Sequence, residues 1–131
     1  MTAGAPARSG NLVLRILDSP LHALLSGHIC KLEYTGAVTG VHRSLPVEYA
    51  ADGDRLLVLA ARAASKRWWR NFTGAGRTLT VTVGRRVHDA HAVAIAPGDP
   101  GYALQLASYK RHRKAPQDPD HRLVVIRLLD T

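Results

Sequence analysis

Two stretches carry residue types that could do chemistry: Gly36–Arg43 (GAVTGVHR) and Ala61–Asn71 (ARAASKRWWRN). Ser65 can cap a short helix, because its hydroxyl accepts a hydrogen bond from an otherwise unpaired amide. Lys66, Arg67 and Arg70 follow it, and Arg62 stands just upstream. Cations in a first turn oppose the helix dipole by about 0.3–1 kcal/mol each. A bound anion would remove the conflict, with Trp68 and Trp69 beside it. The pattern therefore predicts a phosphate or carboxylate site flanked by aromatic rings; the alternative is a solvated basic face whose Trp side chains anchor a core. Gly36–Arg43 offers a second half-site: a glycine turn, the Thr39 hydroxyl and the Arg43 guanidinium, a set able to hold phosphate through amides and a forked charge. The two stretches border one apolar strand and are expected to converge.

Other chemistries find little support. Cys30 is the single cysteine, which forbids an intramolecular disulfide, suits a reducing cytoplasm and reads as a small core residue. No GxSxG elbow surrounds a serine. Among the seven histidines no HExxH occurs; His88 and His91 should point to opposite faces of one strand, so no metal site is expected. Glu33 and Glu48 could face each other across a hairpin or pair with Lys31 and Arg43. No GxGxxG or P-loop stands between a strand and a helix. What remains is binding of an anionic ligand.

The chain has 131 residues, enough for one core. Eighteen Lys and Arg against ten Asp and Glu give a net charge of +8, which favours anionic partners. Nucleic acid or acidic lipid, met through the KRHRK segment with Arg77, Arg85 and Arg86, is an alternative from a different class. The charge is spread along the chain, however, and no nucleic-acid motif is present, so no nucleic-acid partner is expected. No apolar run is long enough to span a bilayer, and peripheral membrane contact is the most that a membrane role would involve. Met1–Gly10 lacks a signal-peptide pattern and reads as a flexible tail ahead of a single domain spanning residues 11–131.

The elements that must position these residues follow from periodicity. Asn11–Ser26 predicts one helix, or two broken at Ser19-Pro20. Strands are predicted at Ile29–Thr35, Arg43–Ala50, Arg55–Ala61, Thr78–Val83, Val87–Ala96 and Leu123–Leu129. Pro46 puts the second at an edge, and the unbroken apolar run of the third predicts burial on both faces. Helices are expected from Ser65 to Gly74 or Gly76 and over Gly101–Lys110. Six strands in hairpin-rich order predict a mainly β fold, a six-stranded antiparallel split barrel with helices packed outside.

The series TGAVTGVHRSLPVEYA and then DGDRLLVLAARAASKRWWRNF resembles the deazaflavin-dependent nitroreductase family. Its members carry a TGxxSGxxR turn, a Pro-containing strand, and a loop leading to a helix that ends W-x-x-N. The likeness covers roughly Leu12 to Val93 and implies the split barrel of flavin-binding proteins related to pyridoxamine phosphate oxidase. It implies reduced deazaflavin coenzyme (F-420) as hydride donor to a quinone, nitro compound or activated alkene. FMN or heme in the same fold is the alternative, and homodimers occur among related barrels. The candidate cofactor-binding set is Thr39, Gly40, Arg43, Ser44, Pro46, Ala61, Arg62, Ser65, Lys66, Trp68, Trp69 and Asn71. Ala37 and Val38 stand where the family turn carries a basic residue, so part of its phosphate clamp is missing. No nucleophile is needed for hydride transfer. Tyr102 or Tyr109, on the helix expected to cover the pocket, could donate a proton or wall the acceptor; helix packing is their other reading.

Overall fold

A computed structural model describes residues 28–61, 63, 67–115 and 120–129. The expectations for Met1–Gly10, for the Asn11–Ser26 helix and for Arg62, Ser65 and Lys66 lie outside these residues.

Seven strands form one antiparallel sheet: β1 (Ile29–Thr35), β2 (His42–Glu48), β3 (Ala50–Asp52), β4 (Arg55–Ala60), β5 (Arg77–Val83), β6 (Arg86–Ile95) and β7 (Arg122–Leu128). Their order across the sheet is β2-β1-β5-β6-β7-β4-β3. The two edge strands are consecutive in sequence, and Tyr49 alone joins them. That connection leaves no slack, so the sheet must curl until its edges meet, giving a half-barrel. The expected count of six is thereby corrected to seven. The stretch read as one strand, Arg43–Ala50, leaves one edge at Glu48 and enters the other at Ala50.

Arg113 fastens this seam. Its Nε donates to the Tyr49 carbonyl at 3.1 Å and its Nη2 meets His28 Nδ1 at 2.8 Å. The Tyr49 amide donates to the His28 carbonyl at 2.8 Å.

Alternation sorts side chains between the two faces. Cys30, Leu32, Tyr34, Tyr49, Leu56, Val58, Val81, Ala92, Val124 and Ile126 fill the inside with Phe72. At the outside, Leu57 and Leu123 are buried under helix α1 (Tyr102–Lys110) through Tyr102 and Tyr109. Each fully buried Leu stabilises by about 1.5–3 kcal/mol. The expected burial of β4 on both faces follows from this arrangement. Ser108 Oγ of α1 donates to Asp52 Oδ2 at 2.7 Å and ties the helix to β3. Where a helix from Ser65 was expected, the described residues form a 3₁₀ helix, Trp68–Phe72, with Arg67 at its N-cap and no side-chain cap.

Candidate active site

A hollow of about 590 Å³ opens between β2, β4, the 3₁₀ helix and the C-terminal end of α1. Leu45, Pro46, Val47, Val58, Leu59 and the Trp68 indole give it largely apolar walls; Glu48, Arg67 and Tyr109 supply its polar groups. Phe72 holds Trp68 edge-on, with ring centroids 6.4 Å apart, and Tyr34 meets Phe72 at 5.2 Å.

Asn71 links the end of the second stretch to the glycine turn of the first. Its Oδ1 accepts from the Ala37 amide at 2.8 Å, while its Nδ2 donates to the Trp68 carbonyl at 2.8 Å. The 3₁₀ helix is thus bracketed to the β1–β2 turn. Arg77 Nη1 secures the base of that turn on the Thr35 carbonyl at 2.9 Å.

Within the turn, Gly36 donates to the Val41 carbonyl and Gly40 to the Gly36 carbonyl, both at 2.9 Å. The Val41 amide donates to Thr39 Oγ1 at 3.2 Å. With the Ala37 bond, four amides are already committed, so an anion here would rely on side chains more than on backbone. Gly40 has φ +71°, a conformation that explains its glycine. Its contribution is the shape of the corner.

Arg43 is exposed on β2, directly opposite Tyr34 of β1. Opposed residues share a face, so Arg43 lies on the side of β2 that carries Leu45 and Val47, two residues of the hollow. Burial raises the Tyr34 hydroxyl and the Arg43 guanidinium partly offsets this, which locates the charge close to that ring. Ser44 opposes Glu33 on the other face. Glu33 and Glu48 do not face each other: Glu48 opposes Ile29, and Glu33 Oε1 lies 3.8 Å from Lys31 and its Oε2 3.5 Å from His42.

Adjacent tryptophans take different roles. Trp69 donates from Nε1 to the Ala63 carbonyl at 3.0 Å, and the guanidinium groups of Arg70 and Arg122 lie over its ring, 5.5 and 5.1 Å from the centroid. It packs against the core and does not line the hollow; Trp68 does. Ala61 follows β4 and is half-buried, outside the hollow.

The two tyrosines also separate. Tyr102 packs in the outer cluster away from the hollow, whereas Tyr109 lines it. Burial raises the Tyr109 hydroxyl above the usual tyrosine range; the Glu48 carboxylate adds to this and Arg113 opposes it. Cys30 is fully buried and pushed up to about 12 by desolvation, which leaves it an inert core thiol. Among the described residues no group of His, Cys, Asp or Glu is arranged for a metal ion, and no helix is long and apolar enough to cross a membrane.

Leu45, Val47, Glu48, Val58 and Leu59 are lining residues that the sequence did not single out as contacts, whereas Arg67 belongs to the cationic cluster it did. Their signal was the inward alternation on β2 and β4, which marks core and hollow alike.

The F420H(2)-dependent quinone reductase family matches residues 11–117, most of the chain. The chain belongs to that family. An F420H(2)-dependent quinone reductase of Mycobacterium tuberculosis (strain ATCC 25618 / H37Rv) is 33% identical over 75 residues, 55% of this chain and 50% of the relative. The counterpart from strain CDC 1551 gives the same figures. The chain thus spans about half the length of the curated relatives it matches. Among solved structures, a FAD-binding protein from Mesorhizobium loti aligns with TM-score 0.53 at 17% identity, covering 86% of this chain and 91% of that one. An F420 reductase gives 0.51 at 19%, covering 85% and 94%. A protein described as a domain-swapped dimer gives 0.51 at 18%, covering 88% and 94%. These likenesses show that this member of the quinone reductase family shares its curled antiparallel half-barrel fold with those proteins.

Proposed function

We propose that the protein is an F420H(2)-dependent quinone reductase whose reaction takes place in the hollow between Trp68 and Tyr109. The observation that carries this is the Trp68-walled hollow, bracketed by Asn71 to the glycine turn, in a chain of this family. Its residues fit a deazaflavin: a flat indole and aliphatic walls suit a planar tricycle, and cations at the rim suit an anionic tail. Trp68, Leu45, Val47, Val58 and Leu59 would hold the ring system. Arg43 and Arg67 would hold the tail, with Thr39, Gly40 and Asn71 shaping the corner beneath it; Arg62, Ser65 and Lys66 belong to the same proposal. When bound, the reduced deazaflavin supplies the hydride.

The chain itself supplies water exclusion, orientation and a proton. A ring system seated against these aliphatic walls would exclude water, which strengthens every charge interaction inside. Tyr109 keeps its proton because burial and the Glu48 carboxylate disfavour its anion. In this reading it donates that proton to one quinone oxygen as hydride is delivered to the other, leaving hydroquinone and a tyrosinate that solvent reprotonates. Two further parts of the proposal are a reducing cytoplasmic setting, for which the lone Cys30 argues, and pairing of two copies, as in the domain-swapped fold neighbour; sedimentation velocity tests the pairing.

Titration with oxidised coenzyme, followed by its fluorescence, tests the site. Saturation at roughly micromolar concentration, together with quinone-dependent oxidation of the reduced coenzyme, is expected. No binding at about 50 μM, a free energy weaker than roughly −6 kcal/mol, would overturn the assignment.

A further inference from the structure

A second hollow, of about 260 Å³, lies at the opposite end of α1, lined by Pro100 and Gly101 at the helix start, by Gln105, and by Arg55, His91 and Arg127. Register explains the cations. Arg55 of β4 is directly opposite Arg127 of β7, and Arg127 is directly opposite His91 of β6. Three basic side chains therefore stand in one row on one face. Like charges directly opposite each other destabilise a sheet, and no carboxylate is among the described residues lining this hollow. The His91 ring passes close to Gly76, where a Cβ would come within 2.9 Å of His91 Cε1. The first turn of α1 carries no acidic residue, and its N-cap Gly101 offers no side-chain cap. Gln105 Oε1 is buried with no hydrogen-bond partner among the described residues.

We propose that this hollow binds a hydrogen phosphate group, free or as the end of a small ligand. Its anionic oxygens would take the donors of Arg55, Arg127 and His91, and its charge would relieve the repulsion between the two opposed guanidinium groups. Its remaining O–H would donate to Gln105 Oε1, a contact that sulfate, ionised at both acid groups at neutral pH, cannot make. Tyr109 and Gly101 lie about 12 Å apart along the helix axis at 1.5 Å per residue, so this site is separate from the Trp68 hollow.

The probe is inorganic phosphate at about 10 mM, against sulfate and chloride at equal ionic strength, read by thermal unfolding. Phosphate should raise the Tm of the unaltered protein by roughly 3 °C or more over chloride, with sulfate well below it. Arg127→Gln should lose this response yet melt no lower than the unaltered protein in chloride. Arg86→Gln, an equal loss of charge outside the hollow, should keep it. In a parallel titration of the unaltered protein, the His91 ring resonances should move with phosphate and stay put with chloride; should Arg127→Gln fail to fold, these resonances decide. An absent phosphate shift, equal shifts in sulfate, retention by Arg127→Gln or equal loss by Arg86→Gln would each overturn the proposal. Responses of phenyl phosphate and inorganic phosphate then distinguish a ligand-borne group from the free ion.

Discussion

The hollows at the two ends of α1 both have aliphatic walls, Val93, Ile95 and Val125 in the second, but differ in the polar groups they gather. At the C-terminal end, Trp68, Leu45, Val47, Val58 and Leu59 surround one phenol, one carboxylate and one guanidinium. At the N-terminal end, three basic side chains in register share a smaller space with a glycine N-cap and an amide. One helix packed on one sheet thus gives room for a planar ring at one end and for a compact anion at the other. The cause is the pairing register. The β2 and β4 positions beside Trp68 are aliphatic, whereas Arg55, Arg127 and His91 fall opposite one another by strand offset alone.

Substitutions can break this contrast, and the largest effect is expected at Trp68. Trp68→Ala removes the wall of the first hollow and its contact with Phe72; it should cost about 3 kcal/mol in chemical denaturation and at least tenfold in coenzyme affinity. A variant that binds normally would show that the indole is only packing. Next comes Tyr109→Phe, which should lower kcat roughly 100-fold, about 2.7 kcal/mol, with coenzyme affinity unchanged. The pH profile sharpens it. Proton donation needs the neutral phenol, and a raised pKa keeps that form as pH rises. The kcat of the unaltered protein should therefore hold up to the usual tyrosine value of about 10 and fall only above it.

A smaller effect is expected of Asn71→Ala, which loses one hydrogen bond from the turn to the 3₁₀ helix and one within that helix. About 1–2 kcal/mol of stability should go, with a weaker coenzyme fit and no change in the phosphate response of the other hollow. Smallest is Arg55→Gln in chloride buffer, which should stabilise by a few tenths of a kcal/mol by removing a like-charge opposition. A loss there would mean the cationic row is held by other contacts.

Much of this was legible in the sequence. The six expected strands lie within a residue or two of where they form, because period-two alternation records which side chains face the core. The seventh was hidden for the same reason. Leu45, Val47 and Tyr49 continue the inward alternation across the seam, and only the hydrogen-bonding partner changes there, which periodicity does not report. Trp68 and Trp69 were inseparable on paper, since their different directions come from the 3₁₀ helix. The link from Asn71 to the Ala37 amide joins the 3₁₀ helix to the glycine turn, and in the sequence Asn71 was visible only as a motif position. Arg55, His91 and Arg127 were illegible as a group, because antiparallel pairing brings distant residues together and composition records only their sum.

The single-residue seam at Tyr49 has a consequence for how this chain tolerates change. Surface loops usually absorb an inserted residue, but here an insertion would have nowhere to go. It would turn Ala50 and Asp52 inside out relative to β4, because a one-residue slip exchanges the two faces of a strand. It would also pull the Arg113 fastening off its carbonyl. Length at this point should therefore be more tightly constrained than side-chain identity, making position 49 a poor place to splice a tag and a sensitive gauge of whether the barrel has shut.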